Sequence, residues 1–205
     1  YTPTGTRLGL DLLQSHRVDA CCIHWGPNEE SDTRHPALIR QYSQHRNWVL
    51  IRAFKREQGL MVSQTALEQT DNAEQLFDSR YRWALRQTGA GAQRFLNEIL
   101  SQHHLSSSNL NTTATALSER EAAAAIAMGH ADAAPGARSA AQEYGLGFIT
   151  FGWEAFDFTL PRNIWFRRLF QDLIGRLKSA PCQRIADDLG GYDLSDSGTL
   201  VWGDD

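Results

Sequence analysis

At 205 residues, with a net charge of −4 and an ordinary globular composition, the chain is long enough to bury a core as one large domain or two small lobes. The acidic balance argues against a surface built to wrap nucleic acid, and no apolar run approaches the length that spans a bilayer. Cys21, Cys22 and Cys182 are an odd set with two adjacent members, which reads as reduced thiols; with no basic, apolar leader at Tyr1, the expected compartment is the cytoplasm.

The chain opens with a turn-rich segment from Tyr1 and then an apolar helix face made by Leu8, Leu10, Leu12 and Leu13, capped by Thr4 or Thr6. Val18 to Ile23 reads as a short strand buried on both faces, ending at His24-Trp25-Gly26-Pro27. After a polar loop, Pro36 is expected to open a helix. Trp48 to Phe54 and Gly59 to Val62 are apolar runs separated by Lys55-Arg56-Glu57-Gln58, which suggests an extended crossover. Asp71 has the side chain to cap a short helix through Phe77.

Trp83 to Arg86 reads as a strand leading into Gln87-Thr88-Gly89-Ala90-Gly91 and then a helix marked by Phe95, Leu96, Ile99 and Leu100. A strand, a glycine turn and a helix leave the first-turn N–H groups pointing into the loop, which suits an anion; the plainer alternative is a tight turn. Leu117 to Met128 is the clearest helix, with Ser118-x-x-Glu121 as a capping box and Gly129 at its end. A strand over Ala131 to Ala134 closes at Pro135-Gly136. A short helix over Ser139 to Tyr144, strands over Gly147 to Phe151 and Glu154 to Leu160, and a helix over Ile164 to Leu177 with Trp165, Leu169, Leu173 and Leu177 on one face follow. Alternating strands and helices imply a mainly parallel α/β sheet.

Several residues invite a chemical reading. Arg86 and Gln87 stand at the carboxyl end of a strand, where ligands meet open α/β sheets, and an arginine there can clamp a carboxylate or phosphate; the alternative is an ion pair to Asp78 or Glu98. His24 ends a strand beside Trp25 and is either a ligand contact or a structural histidine. Arg56, Glu57 and Gln58 lie at the presumed hinge, as ligand groups or as a solvated linker. Ser118 with Glu121 reads first as a helix cap. Arg138 sits beside Gly136, and Glu154 and Asp157 read as hinge or ligand contacts, not a catalytic pair. A metal site from Cys21, Cys22 and His24 is disfavoured because strand neighbours point to opposite faces. No hydrolase elbow and no phosphate-loop lysine are present, so neither an enzyme nor a cofactor is expected.

The motifs Gly5-Thr6-x-x-Gly9-Leu10, Val18-Asp19-Ala20 with His24, Arg56-Glu57-Gln58-Gly59-Leu60, Arg86-Gln87-x-Gly89-x-Gly91, Ala131-Asp132-Ala133 with Gly136-x-Arg138, and Glu154-x-x-Asp157 agree in order over most of the chain. Together they resemble the substrate-binding-like domains of the periplasmic-binding-protein superfamily found behind bacterial helix-turn-helix regulators, often labelled molybdate-binding-like. The resemblance implies a two-lobe type II α/β fold with a ligand cleft between lobes. Residues 1–58 and 145–205 would form lobe 1, whose N-terminal part lies outside this chain, and residues 59–144 lobe 2. It implies a ligand-sensing domain of a transcriptional regulator or, alternatively, the solute-binding protein of an oxyanion or small-organic-anion ABC transporter. The implied ligand contacts are Thr6, His24, Arg56, Gln58, Arg86, Gln87, Gly89, Ala90, Gly91, Ser118, Arg138 and Glu154. The implied partners are a small anionic ligand, DNA only through an N-terminal module absent from this chain, and a second copy in a homodimer, with no membrane. In the loop the family usually shows Arg-Gln-x-Gly-Ser-Gly-Thr-Arg, and here Ala90, Ala92 and Gln93 replace two hydroxyls and a charge.

Overall fold

The computed structural model describes residues 4–203. Two compact units emerge: Tyr1–Arg56, Trp153–Asp188 and Tyr192–Asp205 form the first, and Glu57–Gly152 with Leu189–Gly191 the second. The elements in order are α1 (Thr6–Gln14), β1 (Cys21–Ile23), α2 (Ser31–Ile39), β2 (Trp48–Val62), α3 (Gln64–Glu68), β3 (Arg82–Arg86), α4 (Gly91–Gln102), β4 (Asn111–Ala116), α5 (Glu119–Ala127), β5 (Ala133–Ala137), α6 (Arg138–Glu143), β6 (Gly147–Pro161), α7 (Arg162–Trp165), α8 (Arg168–Leu177), α9 (Ala180–Leu189), β7 (Tyr192–Asp193) and β8 (Leu200–Gly203). The long strands β2 and β6 each pass from one unit to the other.

In the first unit β2 carries apolar side chains on both faces. Trp48 and Leu50 pack with Leu10 and Leu13 of α1, Ile23, and Leu38 and Ile39 of α2. Val49 and Ile51 point the other way, onto Leu160, Ile164, Phe170 and Ile174. Such two-sided burial explains the unbroken apolar run better than alternation would. Strand β1 pairs antiparallel with β6 (Cys21↔Thr159, Ile23↔Asp157), and β2 pairs antiparallel with β7 and β8.

In the second unit β5 pairs antiparallel with β2 from Gln58↔Ala137 to Val62↔Ala133, and parallel with β3 at Trp83↔Ala133. Strand β3 also pairs parallel with β4. Leu60, Val62 and the fully buried Trp83 face Leu96, Ile99 and Leu100 of α4. Met61, Ala84 and Ala134 face Ala122, Ala123 and Ile126 of α5. The small side chains of α5 let its backbone approach the sheet closely, as the alanine-rich sequence suggests. Trp83 also donates its Nε1–H to the Leu76 carbonyl at 3.0 Å, so its one polar atom is satisfied in the core.

Several sequence expectations change. The sheet pairings are mostly antiparallel, because β2, β6 and the C-terminal strands return along their neighbours, and only the β3 pairings are parallel. At β1 only Ile23 is buried; Cys22 is exposed and Cys21 half-buried, since an end strand has one neighbour. Pro36 lies within α2, not at its start. The cap before Phe77 is Asn72, whose side chain accepts from Gln75 N–H. Strand β5 runs through Pro135-Gly136. The stretch after Pro161 breaks into α7 and α8, and α8 buries Phe170 and Ile174 while Leu169 is 83% exposed. Of the apolar stripe read from spacing, Trp165 and Leu177 pack against the core while Leu169 and Leu173 face outward. The turn-rich segment at Tyr1–Pro3 lies outside the described residues.

Gly59 marks the tightest approach between the two long strands, since a Cβ there would sit 2.1 Å from the Ile149 carbonyl oxygen. No side chain can yield at a backbone contact of that kind. Gly59→Ala is therefore expected to cost about 2–3 kcal/mol of stability, read as a fall of several degrees in the thermal unfolding midpoint.

Candidate functional site

The predicted residues of the first unit form one connected cluster. Thr6, the first residue of α1 and buried, donates its hydroxyl to the His24 carbonyl at 3.2 Å, tying the helix start to the end of β1. His24 Nδ1 lies 2.9 Å from Glu154 Oε2, and Arg56 donates its Nε–H to Glu154 Oε1 at 2.6 Å. The rings support this geometry: His24 stacks on Phe156 at 4.3 Å, Phe156 stacks on Phe54 at 4.9 Å, and the Arg56 guanidinium lies 4.4 Å from the Phe156 centroid. His24 and Thr6 line a cavity of about 570 Å³ together with Gly9, Cys21, Phe156 and Phe158.

Glu154 is 3% exposed. Burial alone would push its carboxyl up, but the charges of His24 and Arg56 and their hydrogen bonds outweigh it and hold the group at about 2. Burial pushes the Cys21 thiol up to about 12, which keeps it protonated and suits a small core residue better than a nucleophile.

A second buried network shares the unit. Asp157, fully buried, accepts from Arg52 Nε at 2.6 Å and from His35 Nδ1 at 2.7 Å. The Trp25 backbone N–H donates to His35 Nε2 at 3.0 Å, so the proton of this histidine sits on Nδ1. Arg52 also reaches Ser31 Oγ at 3.2 Å. Sequence reading named Asp157 and missed Arg52 and His35. The available signal was Arg52 itself, a charge inside the apolar run from Trp48 to Phe54, which requires a buried partner.

In the second unit Arg86 reaches the end of β4. It donates from Nε to the Ala116 carbonyl at 3.1 Å and from Nη2 to the Leu117 carbonyl at 3.0 Å, and Gln87 donates to the same Leu117 carbonyl at 3.3 Å. Both side chains thereby fasten the end of β4 to the end of β3. Ser118 accepts the Glu121 N–H at 3.1 Å and caps α5, while Glu121 accepts the Leu117 N–H at 2.7 Å. Arg138 forms a two-pronged pair with Glu57, with Nη2 to Oε1 at 2.9 Å, and this hydrogen bonding lowers the Glu57 carboxyl below its usual range.

The glycine loop stands apart from these pairings. Gly89 has a φ of +87°, a left-handed conformation that lets the chain turn into α4. Ala90 occupies the N-cap position with extended backbone, no side chain caps the helix, and its first turn holds no acidic residue. Ala90, Ala92 and Gln93 are nonetheless buried. Gln93 accepts the Arg86 N–H at 2.8 Å and donates to Asn97 at 3.0 Å, and Arg94 pairs with Glu98. Gln58 is 2% exposed, and both atoms of its amide lack a hydrogen-bond partner among the described residues. Also among the described residues, no group of three or more His, Cys, Asp or Glu side chains comes together to hold a metal, and no helix is long and apolar enough to cross a membrane.

The family model described as PBP superfamily domain matches residues 1–178. The chain belongs to this family. The PBP fold accounts for strands that leave one unit, build the next and return, and solved structures share it. The effector-binding domain of QuiR in complex with shikimate matches with a TM-score of 0.56 at 9% identity, over 78% of this chain and 70% of that one. L-phospholactate-bound PEB3 matches with 0.56 at 14%, over 89% and 83%. An ABC transporter periplasmic binding protein from Brucella ovis with glutathione bound matches with 0.52 at 19%, over 78% of this chain but 48% of that one. At these identities the likeness is one of fold. No curated protein sequence matches.

Because the Glu154 carboxyl is held below its ordinary value, its contribution is complete above about pH 4.5 and is lost as pH falls toward about 2. Glu154→Gln should cost on the order of 3 kcal/mol at pH 7. Urea unfolding of both proteins at pH 7 and pH 3 should show the gap narrowing at the lower pH.

Proposed function

We propose that this chain is the effector-binding domain of a transcriptional regulator, a cytoplasmic ligand sensor and not an enzyme, and that it takes a small organic anion. The observation that carries this reading is the N-terminus of α4, twelve residues long, which opens from a glycine turn with no side-chain cap and no acidic residue in its first turn. A helix end of that kind presents backbone N–H groups and the positive end of its dipole to an anion. Gly89, Ala90 and Gly91 shape this end, and Gln58 lies on the face of the sheet against which α4 packs. The QuiR domain, named for its effector and complexed with shikimate, supports the reading through shared fold. Thr6, His24, Arg56 and Glu154 form a separate hydrogen-bonded cluster within the first unit, beside its own cavity. Arg86 and Gln87 fasten the end of β4 to the strand that leads into α4, Ser118 caps α5, and Arg138 fixes Glu57.

Sensing requires that the ligand bind two conformations with different affinity. DNA would be reached through a module attached outside this chain, with a homodimer as the acting form. The Brucella ovis neighbour favours a second reading, a solute-binding protein that delivers such an anion to a permease. The module that the full-length gene joins to this chain separates the two.

Ala90→Asp tests the anion site. A carboxylate at the N-cap would supply the missing acceptor, raising the stability of the unliganded protein by about 1 kcal/mol and removing the thermal stabilisation produced by small carboxylates. Undiminished stabilisation in the variant would remove α4 from the site.

A further inference from the structure

Gln58 is a buried amide whose donor and acceptor the fold leaves unused. It is 2% exposed, and neither Nε2 nor Oε1 has a hydrogen-bond partner among the described residues. Its place is set by register. Gln58 pairs with Ala137, and β5 runs parallel to β3 from Trp83↔Ala133, so Ala137 stands level with Gln87, where the loop into α4 begins. Strand alternation puts Gln58 on the face of Leu60 and Val62, the face on which Leu96, Ile99 and Leu100 of α4 pack. The amide therefore lies on the α4 side of the sheet, at the end where that helix starts.

An amide left unsatisfied in the interior carries the full desolvation cost of a donor and an acceptor. An oxyanion is an acceptor only, so it would satisfy Nε2 and leave Oε1 facing like charge. Of the polar side chains in the first turns of α4, Gln93 is bonded to the Arg86 N–H and to Asn97, and Arg94 pairs with Glu98. A group that both donates and accepts meets both needs. We infer that Gln58 selects a hydroxyl or amide group in the molecule whose carboxylate meets the first turn of α4, so that the effector is a hydroxy acid or amido acid and not an inorganic oxyanion. This rests on the effector-binding reading above and names the chemical class within it.

The test is titration calorimetry on the full chain with matched probes: N-acetylglycine against pentanoate, shikimate against benzoate, and molybdate and sulfate as oxyanions. The expected result is that N-acetylglycine and shikimate bind about tenfold more tightly than their partners, with the oxyanions weakest. Gln58→Met, close in shape and apolar, should erase the preference while pentanoate and benzoate bind as before, and the unliganded unfolding midpoint should not fall. Should that variant misfold, the wild-type pairs alone decide. Equal binding within each pair would overturn the inference and leave the effector reading standing, as would molybdate or sulfate binding best. Binding of no probe at all would bring down both.

Discussion

The carboxylate of Glu154 is the constraint around which the first unit is arranged. It sits out of water on β6, and two cation-bearing side chains, one from β2 and one just past β1, are committed to keeping it charged. Three residues on, Asp157 is held by one cation, Arg52, and by the Nδ1–H of a neutral His35. Removing one partner from such a pair strands a charge in the interior, so the strands that carry them cannot slide past one another without large cost. Stacked His24, Phe156 and Phe54 rings turn this electrostatic tie into a fixed geometry.

The same logic runs through the second unit and alters how its arginines are read. Arg138 is neutralised by Glu57, and Arg86 is spent on backbone carbonyls at the end of β4. Within the unit both arginines serve as braces. In the proposed effector site, recognition would fall to uncharged donors, namely helix-end N–H groups and an amide, which discriminate by hydrogen-bond pattern and shape more than by net charge.

Much of the architecture was legible in the sequence where a local rule acts alone. The Ser118 cap, the alanine-rich packing of α5 and the turn at Gly89 each follow from a few neighbouring residues and hold in the structure. The order of motifs carried the family and the two-lobe α/β fold. What failed depended on distant partners. The stripe through Leu169 and Leu173 has helical spacing, but which stripe meets the core is decided by Leu160 and Ile51. The buried Arg52, His35 and Asp157 set joins three segments far apart in sequence, and spacing cannot report such meetings. The carbonyl partners of Arg86 likewise lie about thirty residues on, at the end of another strand, where spacing does not reveal them.

The division of the chain also has a consequence for the order of synthesis. Almost all of the second unit is one uninterrupted stretch, Glu57–Gly152, whereas the first is assembled from segments at both ends of the polypeptide. As the chain emerges from the ribosome, the middle unit can close its core while the first still lacks β6, α8 and β8. Strand β1 and the face of β2 that carries Val49 and Ile51 must then wait exposed for partners more than a hundred residues downstream. That interval, when unpaired strand edges and uncovered apolar faces invite wrong partners, is when this fold is most vulnerable to aggregation.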